Sequence, residues 1–180
     1  MTECIALLRG VNVGRAKRIP MGGLRSLFMD LGHQNVRTLL NSGNVLFRCA
    51  RPNTGKLALA LQNGIADKWG FSAAVTVVTA ANLATIVREN PLLQVAVDPA
   101  RHLVAFVAQP SSLDPLHSLM EESWAPDALA IGPRAAYLWC AAGVLDSKLS
   151  QMFARRAGAT VTTRNWATVL KLLAASNTPG

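Results

Sequence analysis

Cysteine, acidic residues and long apolar runs are all scarce in this sequence. Three of the 180 residues are cysteine: Cys4, Cys49 and Cys140. This sparse, odd set fits neither a disulfide scaffold nor a zinc site, and it suits a reducing compartment. The long uncharged stretch over residues 71–87 is interrupted by polar side chains and is shorter than the ~20 residues that a membrane helix needs. The first apolar run is too short for a signal peptide. We therefore expect a cytoplasmic protein with no membrane segment, metal or cofactor.

The rest of the composition favours a folded globular protein. Apolar residues make up 51% of the chain and charged residues only 16%, which is too apolar for a disordered tail. A chain of 180 residues is long enough to build a core without a disulfide or metal staple. The length fits one domain or two small ones.

The positive charge lies mainly at the two ends of the chain. Residues 1–56 contain nine Lys or Arg and two acidic residues, and residues 57–147 contain four Lys or Arg and eight acidic residues. Residues 148–180 contain five Lys or Arg and no acidic residue. The formal net charge of +8 therefore comes from two basic segments that enclose an acidic middle. This pattern indicates either an anionic partner or two basic segments that dock on an acidic region of the same fold. Ordinary solvation of surface charges is the alternative.

Apolar periodicity and turn residues predict the element order β-α-β-β-α-β twice, with one more helix at the C-terminus. In the first half, the turn Asn41–Asn44 predicts a hairpin and Asn53 predicts a helix cap. In the second half, a helix is predicted over residues 113–122 with Ser111 or Ser112 as its cap. The last helix is predicted to bury a stripe formed by Trp166, Val169, Leu170 and Leu173.

This element order predicts the fold class. The β-α-β-β-α-β unit is the ferredoxin-like arrangement. We expect an α+β protein of two ferredoxin-like halves with mainly antiparallel sheets and a C-terminal helix. The predicted bounds are 1–80 for the first half, 81–100 for a connecting helix and turn, and 101–180 for the second half with its terminal helix.

The predicted topology brings a basic loop close to a turn in the first half. The end of the first strand and the hairpin between the second and third strands lie at the same end of the sheet. Loop 10–19 offers cations, backbone N–H groups and an amide, which suit a phosphate or a carboxylate. A plain loop and a tight turn are the alternatives. The candidate ligand-binding residues here are Arg9, Asn12, Lys17, Ser42 and Asn44.

A second basic cluster is predicted in the second half. The start of its second helix and the end of its last strand lie at the same edge, which groups residues 147–148 with residues 162–165. A helix N-terminus is a ready anion site. The candidate ligand-binding residues are Lys148, Arg164 and Asn165. The alternatives are a solvated surface residue for Lys148 and a helix cap for Asn165.

The same segments carry a family resemblance. They are Ala6–Gly14 with Ile19–Met21, Asn35–Thr38 with Ser42–Val45, Ser147–Leu149, and Thr162–Lys171. In this order they resemble the signatures of the bacterial family known as domain of unknown function 1697 over nearly the whole chain. The resemblance implies a small bacterial α+β protein with no established activity. Arg15 stands where the family pattern leads us to expect a second glycine.

Three classes of function remain open, and the sequence assigns no catalytic residue. The first is binding of an anionic, phosphorylated or nucleotide-like ligand, with an anionic small molecule or a nucleic acid as partner. A single-stranded RNA reader fits less well, because the central strands offer only Phe47 for stacking on bases. The second class is a transferase for a phosphorylated substrate, with Ser147 or Lys148 as first suspects. The third is an interaction or structural module without a small-molecule ligand.

Overall fold

The chain forms two compact units. In the computed structural model, which describes residues 1–14 and 16–177, one unit holds residues 1–83 and the segment from Leu172 onward, and the other holds residues 84–171. The unit boundaries fall inside two helices, Ala80–Arg88 and Trp166–Ser176. The predicted bounds of 1–80, 81–100 and 101–180 stay a prediction.

The first unit has the ferredoxin-like topology. Its elements are β1 (Thr2–Leu8), α1 (Met21–Asp30), β2 (Gln34–Leu39), β3 (Asn44–Cys49), α2 (Thr54–Trp69) and β4 (Val75–Thr79), followed by the start of α3 (Ala80–Arg88). The strands form one sheet in the order β2-β3-β1-β4, and every neighbouring pair is antiparallel.

Local sequence signals explain the helices of the first unit. Asn53 caps α2 by accepting a hydrogen bond from the Lys56 N–H at 3.0 Å, and Gly70 ends α2 with a left-handed φ of 73°. The buried face of α1 carries Leu24, Leu27 and Phe28, as its apolar period predicts. These helices cover one face of the sheet and enclose the core of the unit.

The second unit repeats the topology with one altered element. It contains β5 (His102–Val107), a 3-10 helix (Pro110–Glu121), β6 (Ala128–Ile131), β7 (Ala135–Trp139), α4 (Lys148–Ala157), β8 (Val161–Asn165) and the start of α5 (Trp166–Ser176). Its sheet order is β6-β7-β5-β8, again with antiparallel neighbours. The predicted α+β class with two ferredoxin-like halves, antiparallel sheets and a C-terminal helix is confirmed.

Two element predictions in the second half were wrong in detail. The segment predicted as a helix over 113–122 is a 3-10 helix, and it starts after Gln109 without a side-chain cap from Ser111 or Ser112. Pro115 lies inside it, and proline removes a backbone donor and disrupts the α-helical ladder. In α5, Leu172 is fully buried whereas the predicted stripe residue Leu170 is 42% exposed.

The central strands of each sheet, β1 and β3 in the first and β5 and β7 in the second, are largely buried on both faces, which bears on nucleic-acid binding. Phe47, considered above for base stacking, lies on the helix-covered face and packs edge-on against Phe28 at 5.1 Å. On the opposite face of the second sheet, the aromatic rings of Phe106 and Tyr137 are at most 1% exposed. An RNA-reading sheet needs exposed aromatic rings on its central strands. Neither sheet, in the part of the chain that the structure describes, offers such rings.

Candidate functional site

The loop that follows β1 packs against the turn between β2 and β3. The Leu8 N–H donates to the Gly43 carbonyl at 2.8 Å, and the Asn12 side chain donates to the Asn41 carbonyl at 3.0 Å. The predicted proximity of loop and turn is therefore confirmed. Because β1 and β2 run parallel to each other, one on each side of β3, their C-terminal ends lie at the same end of the sheet.

Asn12 holds this loop in shape. Its Oδ1 accepts from the Ile19 N–H at 2.8 Å, and its Nδ2 donates to the Ile19 carbonyl at 3.0 Å. The Asn12 N–H donates to the Lys17 carbonyl at 3.0 Å, and its φ of 57° lies in the left-handed region that asparagine tolerates. With its third side-chain bond, to the Asn41 carbonyl, the amide joins both ends of the loop to the turn. Its structural role is to shape the site.

The turn residues are likewise committed to structure. Asn44 is fully buried, and its Nδ2 donates to the Leu39 carbonyl at 3.0 Å and to the Ser42 hydroxyl at 2.9 Å. Gly43 has a φ of 75°, and a Cβ there would lie 2.7 Å from side-chain atoms of Leu8 and Val11. Only glycine fits this close approach without displacing its neighbours.

The cations of the loop differ in how far they are tied down. Arg9 is half-buried, and its backbone N–H donates to the Ala74 carbonyl at 2.8 Å. Lys17 is exposed, and its Nζ donates to the Ser72 carbonyl at 3.3 Å. Arg18 is exposed and lines an open depression of about 510 Å³. Arg15 lies outside the described residues. Arg18, which the prediction passed over, is thus a loop cation that lines an open depression.

The same depression reaches the start of α1. Its lining consists of Asn12, Arg18, Ile19, Pro20, Met21 and Asn41 and includes no acid. Pro20 stands at the N-cap and provides no side-chain cap, and the first turn of α1 contains no acid. Gly22 is exposed, with no atom within 4 Å of the place where its Cβ would stand. The first backbone N–H groups of a helix carry partial positive charge, so this end of the depression favours anions.

In the second unit, Ser147 acts as a helix cap. Its hydroxyl accepts from the Ser150 N–H at 2.9 Å and donates to Asp127 Oδ2 at 2.7 Å. The other carboxylate oxygen of Asp127 accepts from the Ala141 N–H at 2.8 Å. Sequence reasoning missed Asp127, because it lies twenty residues before Ser147 and no local motif marks it. The two residues join the start of α4 to the segments around β6 and β7.

Lys148 and the end of β8 make separate arrangements. Lys148 is exposed beside a depression of about 410 Å³ lined by residues 123–127, 142 and 146–149. Arg164 is paired with Val104 of β5, and its Nη1 donates to the Thr163 carbonyl at 2.9 Å. Burial lowers the pKa of Arg164 to about 10, so it remains a cation at neutral pH. Asn165 caps α5 by accepting from the Thr168 N–H at 2.9 Å. The helix-cap alternative therefore holds for Asn165.

The three cysteines are buried. The Sγ atoms of Cys4 and Cys49 lie 3.7 Å apart in the core, and burial raises the pKa of Cys4 to about 12. Burial also raises the pKa of Cys140. A thiol with a raised pKa is a poor nucleophile. Within residues 1–14 and 16–177, no three His, Cys, Asp or Glu side chains are grouped to hold a metal ion. No helix in those ranges combines the length and apolarity of a membrane span.

Comparisons with known proteins agree with this fold. The chain resembles the structure described as a conserved bacterial protein, SP0830, from Streptococcus pneumoniae, with a TM-score of 0.79 and 21% sequence identity. The similarity covers 98% of this chain and 99% of that one. The search of curated proteins gives no match. The family model described as "Protein of unknown function (DUF1697)" matches residues 1–137, about three quarters of the sequence. The chain therefore belongs to the DUF1697 family.

Proposed function

We propose that the protein binds an anionic, phosphorylated or nucleotide-like ligand at the basic loops of its N-terminal and C-terminal motifs. The N-terminal loop is the principal site. The observation that carries the proposal is the open depression between Arg18 and the uncapped first turn of α1. A guanidinium and a helix N-terminus each stabilise negative charge, and together they suit a phosphate group.

The charge around this depression supports an anion over a neutral ligand. Residues 1–83 contain ten Lys or Arg and three acids, Glu3, Asp30 and Asp67. Glu3 binds two arginines, and Asp30 lies 4.0 Å from Lys68. No acid among the described residues forms an ion pair with Arg18. Its charge therefore stays available to a ligand.

In the second unit, the C-terminal motif offers a separate possible contact for an anion. Lys148 is the residue that could reach a ligand there, because its side chain is exposed beside the second depression. Ser147 is 2% exposed, and its hydroxyl is already bonded on both sides. This bonding makes Ser147 a cap and offers little support for a nucleophilic role in a transferase.

Thermal unfolding with added anions tests the proposal. Inorganic phosphate, nucleotides and phosphosugars should each be titrated at constant ionic strength, because a ligand that binds the folded state raises the melting temperature with concentration. Chloride at the same ionic strength serves as the control for screening. If no phosphorylated compound raises the melting temperature above the chloride control, the proposal is wrong.

Two matched glycine variants locate the site. Gly22 and Gly55 are both exposed and both occupy the second position of a helix, in α1 and α2. An aspartate at either position suits the helix N-terminus and should preserve or raise stability. Gly22→Asp also puts a negative charge beside the depression, so it should weaken anion binding about tenfold, whereas Gly55→Asp should leave binding unchanged.

An arginine pair completes the test. Arg18→Gln should weaken binding about tenfold by removing one charge-assisted contact. Arg155→Gln, on the exposed side of α4, makes the same charge change elsewhere and should have no such effect. Equal binding by wild type, Gly22→Asp and Arg18→Gln would remove the site from this loop.

A further inference from the structure

Three charged side chains share one face of the first sheet, away from the loop just described. Glu3 is paired with Arg48 across β1 and β3, and Arg37 is paired with Leu46 across β2 and β3. Side chains alternate between the two faces of a strand, so these residues lie opposite the face that carries Cys4 and Phe47 in the core. Arg37 belongs to the Asn35–Thr38 segment, to which the proposed function gives no role.

The carboxylate of Glu3 lies between the two arginines and holds both. Arg37 Nη2 donates to Glu3 Oε1 at 2.7 Å, and Arg48 Nε donates to Glu3 Oε2 at 3.1 Å. The Glu3 side chain is 11% exposed, whereas those of Arg37 and Arg48 are 34% and 41% exposed. The carboxylate is thus largely withdrawn from solvent, whereas the two guanidinium groups remain partly exposed to it. One shared acid fixes two arginines side by side.

This cluster retains positive charge and hydrogen-bond donors. Two arginines against one glutamate leave a net charge of +1. A guanidinium group has five N–H donors, and each arginine uses one of them on Glu3. Arg37 Nε is buried without a hydrogen-bond partner among the described residues, so the bond to Glu3 leaves this guanidinium incompletely satisfied. An oxyanion approaching from solvent would meet two preoriented guanidinium groups.

We propose that Arg37 and Arg48, held in place by Glu3, form a second anion site that binds a phosphate group. A phosphate presents at least three oxygens and carries more negative charge than a carboxylate, so it can contact both guanidinium groups at once and bind them more strongly. The site is separate from the loop depression. Glu3 lies at the start of β1 and the loop follows its end, about 20 Å away at about 3.3 Å per residue.

The test follows the arginine side chains directly. Protein labelled with nitrogen-15 at arginine is titrated with inorganic phosphate, and the Nε–Hε signals are recorded by NMR at constant ionic strength. We expect saturable shifts at Arg37 and Arg48, assigned from the signals lost in Arg37→Lys and Arg48→Lys. Sulfate and acetate are titrated alongside, and acetate should bind at least tenfold more weakly.

The lysine variants distinguish recognition by the two planar guanidinium groups from attraction by positive charge alone. Each keeps the net charge but loses the planar donor group, so each should weaken phosphate binding at this site about tenfold. Arg134→Lys, in the exposed turn between β6 and β7, is the matched control and should change nothing. Arg48 is the more exposed of the pair, so Arg48→Lys still decides the matter if Arg37→Lys fails to fold.

Three results would overturn this second site. They are shifts that do not saturate, equal shifts with chloride, and phosphate affinity unchanged in both lysine variants. Gly22→Asp should leave the Arg37 and Arg48 shifts intact, because it acts at the other end of β1. The two sites can therefore fail independently.

Discussion

The buried histidine of β5 leads to a sharp prediction about acid stability. His102 is fully buried and stacks on Trp166 with ring centroids 5.1 Å apart. Its Nε2 lies 3.2 Å from Asn90 Nδ2, and Asn90 Oδ1 accepts from the Leu92 N–H, which orients the amide so that its NH2 group faces the ring. Nε2 therefore accepts, and a proton added there would meet a donor.

The magnitude follows from the pKa. Burial lowers the pKa of His102 from 6.5 to about 4. Between these two pH values the unfolded chain binds a proton that the folded protein does not, so stability falls as the pH drops. At about 1.4 kcal/mol per pH unit, the loss reaches about 3 kcal/mol by pH 4. Above pH 6.5 the neutral ring makes its full contribution to the free energy of unfolding.

The assay is urea denaturation of wild type and His102→Gln across this pH range. Glutamine has no titratable group, so the stability advantage of wild type over the variant should shrink by about 3 kcal/mol from pH 7 to pH 4. His117→Gln, at an exposed position, is the matched control for replacing a histidine with glutamine. Parallel pH profiles for wild type and His102→Gln, or an NMR titration of His102 near pH 6.5, would refute the reasoning.

Three further predictions concern single side chains, each read out by denaturant unfolding. Gly43→Ala should cost about 2 kcal/mol or more, because its Cβ clashes at 2.7 Å in a left-handed conformation; a neutral result would contradict the close approach. Asn53→Ala should cost about 1 kcal/mol by removing the cap of α2, while Asn53→Ser should recover most of it. Leu172→Ala should cost about 2–5 kcal/mol and Leu170→Ala under about 1 kcal/mol. The reverse order would mean that Leu170 is buried, as the sequence predicted.

The elements that sequence reasoning found are those with local causes. The cap at Asn53 and the left-handed end at Gly70 depend on hydrogen bonds within one turn, so their residue types alone predict them. The 3-10 helix was also visible in principle. Its buried residues, Leu113, Leu116 and Leu119, recur every three positions, which is the period of a 3-10 helix and not of an α-helix.

The missed features depend on contacts distant in sequence. In α5, apolar side chains occur on more than one side, so tertiary packing decides that Leu172 is buried and Leu170 exposed. The bond between Asp127 and Ser147 spans twenty residues, and the bonds between Glu3 and the arginines span 34 and 45. No periodicity encodes such pairs. Sequence reasoning therefore located the loop and turn but not the acids that organise the charge.

The structure divides the basic charge of the first unit into two kinds. Arg37 and Arg48 are ordered by a shared carboxylate, so binding a ligand there costs little side-chain entropy but competes with Glu3. Arg18 forms no ion pair with an acid among the described residues, and its exposed side chain has more conformational freedom to lose on binding. Added salt weakens exposed charges more than partly buried ones. Phosphate binding at the loop should therefore fall more steeply with ionic strength than binding at the arginine pair. Equal salt slopes would mean that Glu3 does not preorganise the pair.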